Sequence, residues 1–474
     1  MNQHSVPLLE AARRYLDIDH APFYMPGHKR GQGIDREFIT LMGETVFRLD
    51  LPELPELEAA VTEAELLAAE AYGSDRAWFL TNGSTCGIQA MLLATCRQGD
   101  KVLIGRNCHK AAIAGLVLNG ATPIYLPTDY LPEFDLDLGV SPATLELFLQ
   151  NHPDAKAVML VSPNYFGVCG EIENLVAIAH AFNIPLLVDA AHGAHLGFHP
   201  DLPISALQAG ADLVVQSTHK VAGSLTQSSI LHLQGNLIAQ EQVDRALQIL
   251  RSSSPNLLLL ISLDVARRQM AVNGKKLLAE TLKLAEEARS RLNQIPDLRT
   301  FSQVEVPTLD STRLTVMVDR MGITGFEADV CLHSQLDVMA EMPTLNQLVF
   351  ILSLGNTQSD IERLIHGCRQ LNEEKGKRKK EKGKINYELR ITNCQARLTP
   401  REAYFAESDR LPLHQAIGRI SAESLCPYPP GIPLVCIGEE ITIEVVEMLQ
   451  CILRSGGIIN GASDDSLKTI RVVK

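Results

Sequence analysis

The sequence predicts an α/β protein: a mostly parallel sheet of seven strands with helices on both faces, followed by a smaller C-terminal α/β domain. Three observations carry this reading. Between Ala77 and Leu233, short β-branched or apolar runs alternate with stretches of helical period, the pattern of βαβ units. From Pro255 to about Leu292, good helix formers with i,i+4 charge pairs continue without a break. A Lys-rich tract, Glu373 to Lys384, then sets off a final stretch with its own strand and helix pattern.

The strands expected in order are Ala77–Leu80, Lys101–Ile104, Thr122–Leu126, Ala157–Val161, Pro185–Val188, Leu213–Gln216 and Ser229–Leu233. Gly87–Cys96 and Leu175–Phe182 are the clearest helices between them. Residues 300–370 alternate strand and helix more weakly. The resulting division is an N-terminal segment 1–60, a major domain 61–300, a smaller α/β region 301–372 completing it, a basic linker 373–386 and a C-terminal domain 387–474. Lys375–Lys384 holds seven Lys/Arg against one Glu. Its plain reading is a solvated linker, because the other one, a patch for nucleic acid or an anionic surface, sits in a chain of net charge −13.

That charge, over 474 residues that are 46% hydrophobic, describes a soluble globular protein and argues against a nucleic-acid partner. No apolar run approaches the ~20 residues that span a bilayer, and the longest, Leu257 to Leu263, includes a serine. Met1-Asn2-Gln3-His4 has neither a positive nor an apolar leader region, and the ten cysteines are scattered without a CxxC. Buried thiols in the cytoplasm are expected.

In sheets of this kind ligands bind beyond the carboxyl ends of the strands, so polar residues there carry most weight. Four such loops stand out. In Thr81–Gly87, glycines flank two hydroxyls, Ser84 and Thr85, at a helix start whose free N–H groups favour a phosphate; the same pattern also makes an ordinary turn. It is not a Walker loop, and GxGxxG is absent. Asp189 ends an apolar run, where a carboxylate either meets a cation or caps a helix. Lys220, in Gln216-Ser217-Thr218-His219-Lys220, also follows a buried strand, where desolvation favours the neutral amine that forms a Schiff base. Lys220 lies 31 residues after Asp189, one βαβ step. His109 follows Lys101–Ile104, placed either to lie over a flat ring or to cap its loop. A phosphate cradle, a partner for a pyridinium and a buried lysine together point to pyridoxal phosphate. His192, His195 and His199 form an H-x2-H-x3-H run that zinc could use, but Gly193 and Gly197 weaken the helix this would need; no metal is expected.

With these residues in place, the chain resembles the Orn/Lys/Arg decarboxylases, fold-type I pyridoxal phosphate enzymes with an aspartate-aminotransferase-like major domain. The resemblance is carried by Phe23–Lys29, Thr81–Gly87, Arg106–Lys110, Ser162–Gly167, Asp189–His195, Ser217–Lys220, Ser252–Pro255 and Tyr428–Pro433. It covers most of the chain and looks like the short form lacking an N-terminal wing domain. It implies that Lys220 holds the cofactor as a Schiff base, Asp189 pairs with the pyridine nitrogen and His109 stacks on the ring. Ser84, Thr85, Ser217 and His219 would contact the phosphate, His192 the phenolic oxygen, and Ala191 would pack under the ring. Ser253 or Ser254 would reach a neighbouring subunit's phosphate, so a homodimer or larger homo-oligomer is expected.

Two departures from the family pattern are Ala190, in place of an acidic residue, and Asn164, where Thr is common. They are the support for one alternative, a catalytically inactive binding homologue; a second alternative, an aminotransferase or lyase on the same fold, also stays open. The activity that the resemblance implies is decarboxylation of a basic amino acid to a polyamine precursor, arginine before lysine or ornithine. Such a substrate needs an acidic pocket, for which Glu423 and Glu439, flanking Tyr428–Pro433, are candidates.

Overall fold

The computed structural model describes residues 1–376 and 396–474, apart from 19, 53 and 429. The major sheet runs, edge to edge, Arg76–Leu80, Ser229–Leu233, Leu213–Gln216, Leu186–Asp189, Ala157–Val161, Lys101–Gly105 and Thr122–Leu126. Each of these strands lies within one residue of its expected bounds. Only Ser229–Leu233 runs against its neighbours; the other contacts between adjacent strands are parallel.

Side chains alternate between the two faces along every inner strand. Phe79, Leu103, Val158, Val188, Val214 and Ile230 enter one apolar cluster, and Leu80, Val102, Met159, Leu187, Val215 and Leu231 the other. This is the period of two that a doubly covered sheet requires. The same alternation explains Ala190. It follows Val188 onto the first face, 2% exposed among apolar neighbours. A small apolar residue suits that environment, and the departure at Ala190 does not remove a charge from the ligand cavity.

The first helix after the sheet's edge strand is Gly83–Thr95, starting four residues earlier than the apolar period alone indicates. Gly83 takes φ +76°, which turns the chain out of the strand. A Cβ on Gly87 would lie 2.5 Å from Val215 Cγ2, so glycine lets the helix lie directly on the sheet. The long helix is Leu257–Leu292, capped by Asn256, whose side chain accepts from Leu259 N.

Beyond it, Arg299–Thr300, Arg313–Met317, Gln347–Ile351 and Met342–Pro343 form an antiparallel sheet in that order. It packs with Gly325–Leu336 and Gln358–Gly376 around Leu314, Val316, Leu348 and Ile365. Gln358–Gly376 continues past residue 372, so residues 373–376 of the expected linker are helical; its remainder lies outside the described residues. The C-terminal part pairs Ser408–Pro412 with Thr469–Val473 and Cys426–Tyr428 with Ile458–Asn460, over the helix Ile443–Arg454. Among the described residues, nine cysteines are free and buried, and no helix is long and apolar enough to cross a membrane.

Candidate active site

Chain order reverses between the adjacent strands Lys101–Gly105 and Ala157–Val161, and such a switch point opens a crevice at the strands' carboxyl ends. A cavity of about 520 Å³ lies there. Loops after five strands line it: Ser84; Asn107 and His109; Asn164 and Tyr165; Asp189, Ala191 and His192; His219 and Lys220. Glu341 comes from the second sheet and Tyr428 from the C-terminal part.

Lys220 sits on the short helix Thr218–Val221, with Nζ 2.9 Å from His192 Nε2 and 5.5 Å from the centre of the Tyr165 ring. Burial pulls its amine below the ordinary lysine range, and Asp189 opposes this. Asp189 is 4% exposed and accepts one hydrogen bond, from Ala191 N at 3.1 Å. Burial pushes its carboxyl up while the Lys220 charge pulls it down. A buried carboxylate with a single protein donor suits a cationic ring nitrogen. The helix Gly83–Thr95 has no side-chain cap, which leaves its first N–H groups for an anion. Ser217, fully buried, donates to Ser84 Oγ at 2.9 Å, joining two expected phosphate contacts; Thr85 is exposed on the first turn and does not line the cavity. These donors, the buried amine and the lone carboxylate fit the phosphate, aldehyde and pyridine nitrogen of pyridoxal phosphate.

His109 lines the cavity and also caps Lys110–Asn119, its Nδ1 accepting from Ala111 N at 3.2 Å. Burial lowers its pKa to about 4. Gly431, at φ +86°, passes so close that a Cβ there would lie 3.1 Å from His109 Nε2. His219 Nδ1 donates to Ser228 O at 2.8 Å.

The three histidines of the suspected zinc run go to three different partners. His192 meets Lys220 and Arg313, the buried His195 lies 3.1 Å from Asp310 Oδ2, and His199 Nδ1 accepts from Asp201 N. Asn164 closes its own turn, accepting from Phe166 N and Val168 N at 3.0 Å.

Neither expected acidic residue lines the cavity. Glu439, fully buried, accepts from Cys436 N at 2.6 Å and Arg106 Nη2 at 3.1 Å. Glu423 accepts from Ser463 N and Arg471 N. Both carboxylates satisfy backbone donors inside the C-terminal part, where an unpaired N–H would be costly. Besides Asp189, the acid that lines the cavity is Glu341, whose Oε1 accepts from the Tyr165 hydroxyl at 2.6 Å. Sequence reasoning missed Glu341 and Arg313 because strand-end polar residues were weighed only in the first sheet. That rule would not have found them in the second sheet either, because Arg313 opens the strand Arg313–Met317 and Glu341 precedes Met342–Pro343, both at amino ends.

The seven-stranded sheet, its switch-point cavity and its strand-end lysine define the class: an aspartate-aminotransferase-like protein of fold type I. Within that class the chain belongs to the Orn/Lys/Arg decarboxylase family, whose major domain matches residues 6–328 and whose C-terminal domain matches 384–458. It is 37% identical to the arginine decarboxylase of Bacillus subtilis (strain 168), covering 100% of this chain and 99% of that one. It is 36% identical to the arginine decarboxylase of Bacillus anthracis, covering 100% and 98%. Among solved structures it resembles the lysine decarboxylase LdcF of Francisella novicida, with TM-score 0.84 and 21% identity over 99% of this chain and 81% of that one. The constitutive lysine decarboxylase of E. coli gives TM-score 0.81 and 19% identity over 100% and 82%.

Proposed function

We propose that this protein is a pyridoxal phosphate-dependent decarboxylase that converts arginine to its amine, a polyamine precursor, in the cytoplasm. The observation that carries the proposal is one cavity lined by the amine of Lys220, the carboxylate of Asp189 and, from the other sheet, the carboxylate of Glu341. Its volume of about 520 Å³ falls in the usual range for ligand pockets.

Bound pyridoxal phosphate supplies an electron sink for the pair released when the Cα–carboxylate bond breaks. The chain's own residues do the rest. Lys220 contributes the neutral amine that attaches the cofactor, and Asp189 keeps the pyridine nitrogen protonated. Ser84, Ser217 and His219 attend the phosphate at the helix N-terminus, and Thr85, exposed outside the cavity, is left out of that set. His109 and Ala191 pack against the ring, and His192 attends its phenolic oxygen. Lys220 or His109 returns a proton to Cα. Glu341 accepts from the cationic head of the substrate, and a planar guanidinium matches a carboxylate better than an ammonium does. Ser253 and Ser254 are exposed, as residues completing a second subunit's site need to be.

Incubation of the holoenzyme with arginine, lysine and ornithine, followed by identification of the amine, tests the reading. Agmatine with carbon dioxide as the preferred products is expected. Preference for cadaverine or putrescine overturns the choice of arginine, and no carbon dioxide from any of the three overturns decarboxylation.

A further inference from the structure

We infer that Arg313 is a positioning residue: by donating to His192 Nδ1 it keeps that imidazole's proton on Nε2, and so holds the Lys220 amine uncharged and nucleophilic. The inference rests on Lys220 being the reactive amine of the proposed function, but not on which amino acid is the substrate.

Arg313 is fully buried at the start of the strand Arg313–Met317. Among the described residues no carboxylate lies within ion-pair distance of it, and its Nε and Nη1 have no hydrogen-bond partner. Burial of a guanidinium is expensive, and here Asp310 and Glu341 offset it only from a distance, without bonding to it. What Arg313 does have is Nη2, 3.1 Å from His192 Nδ1 and 3.3 Å from His192 O. Room is made for it at Gly167, the last residue of Ser162–Gly167. Gly167 has φ +89°, and a Cβ there would lie 2.7 Å from Arg313 Cβ and 2.8 Å from Cγ.

Proton bookkeeping does the rest. A guanidinium only donates, so His192 Nδ1 must accept and carries no hydrogen. The ring's single N–H is therefore on Nε2, which is 2.9 Å from Lys220 Nζ. An ammonium has three donors and no acceptor, so this contact is a hydrogen bond only when Lys220 is a free amine. The groups facing the pair are Asp189, Arg313, Glu341, His109, His219 and the Tyr165 ring. Asp189 and Glu341 favour the ammonium; burial and Arg313 favour the amine. Burial, with Lys220 and Arg313, holds His192 well below the ordinary histidine range, so the ring stays in the neutral form this arrangement needs.

Two measurements on the full chain freed of cofactor test this, without substrate, so that failure of the decarboxylase reading leaves them unaffected. In the wild-type protein labelled with ¹⁵N-histidine, and with His192 assigned by difference from H192Q, Nδ1 should show an unprotonated shift and Nε2 a protonated one. A proton on Nδ1 overturns the inference and needs no Arg313 variant to be seen. Second, modification of Lys220 by trinitrobenzenesulfonate, followed by peptide mass, gives the pH at half-reaction. Arg313→Met should raise that midpoint by about one pH unit, and Arg313→Lys, which keeps the charge and a donor, should restore most of it. A Met variant with the wild-type midpoint, or a Lys variant no different from the Met variant, overturns the assignment.

Discussion

The hydroxyl of Tyr165 donates to Glu341 Oε1 at 2.6 Å, across 176 positions of chain, and brings the second sheet's carboxylate to the cavity that holds Lys220. Tyr165 also packs on His192, with ring centres 4.4 Å apart. One residue thus connects the carboxylate proposed for the substrate's head group to the amine proposed for the cofactor.

Glu341→Gln removes the charge and keeps the shape. A hydrogen bond to a charged group contributes about 1.5–3 kcal/mol, so kcat/KM for arginine should fall roughly ten- to a hundredfold, mainly through KM. Tyr165→Phe should cost less, because the carboxylate remains. Steady-state kinetics at saturating cofactor decide it, and an unchanged KM in the Gln variant would remove Glu341 from substrate recognition.

Lys220→Ala should abolish the visible absorbance band of the attached cofactor. Asp189→Asn should retain the cofactor and lower kcat by orders of magnitude, since an amide cannot hold the pyridine nitrogen protonated. Absorbance spectra and single-turnover rates check both. A persistent band in the Lys220 variant would mean that another amine holds the cofactor.

Arg106 ties the C-terminal part to the loop of His109: it donates to Pro433 O at 2.8 Å, to Leu434 O at 3.1 Å and to Glu439 at 3.1 Å. Glu439→Gln removes a fully buried charge from its contact with the half-buried Arg106, and a hydrogen bond to a charged group is worth about 1.5–3 kcal/mol. Urea unfolding at pH 7 should show this loss. Because Lys110 N also donates to Gly431 O beside His109, kcat should fall with the loosened docking. A stability equal to wild type counts against the pairing.

His232 is fully buried on Ser229–Leu233, and burial lowers its pKa to about 3. The unfolded chain takes up its proton near pH 6.5 while the folded chain does not. Stability from this group is therefore complete above pH 6.5 and is lost as the pH falls from there towards 3. Between pH 6.5 and 5 the loss amounts to about 2 kcal/mol. In His232→Leu that part of the pH dependence of urea unfolding should vanish, while the same-signed contributions of His109 and His192 remain. Parallel wild-type and variant curves would rule out His232 as a contributor.

Residues whose role is local were legible in the sequence. The seven strands announce themselves through β-branched runs of period two or continuous hydrophobicity, and Asp189, Lys220, His109 and Ser84 through polar residues that end such runs. Whatever depends on which loop meets which was not. Glu423 and Glu439 stand beside Tyr428–Pro433 in sequence, yet their carboxylates turn to backbone N–H groups of their own fold. Glu341 lies far from the motifs and reaches the cavity only because the second sheet packs there. Arg313, 93 positions beyond Lys220, reaches the same amine through one imidazole. Hydrophobic period and strand-end chemistry are properties of neighbouring residues, so the chain alone determined the sheet and which amine and carboxylate end its strands. Hydrogen bonds that form only when two sheets dock are properties of distance in space, and the tertiary structure alone decided which carboxylate faces the cavity and which cation holds His192.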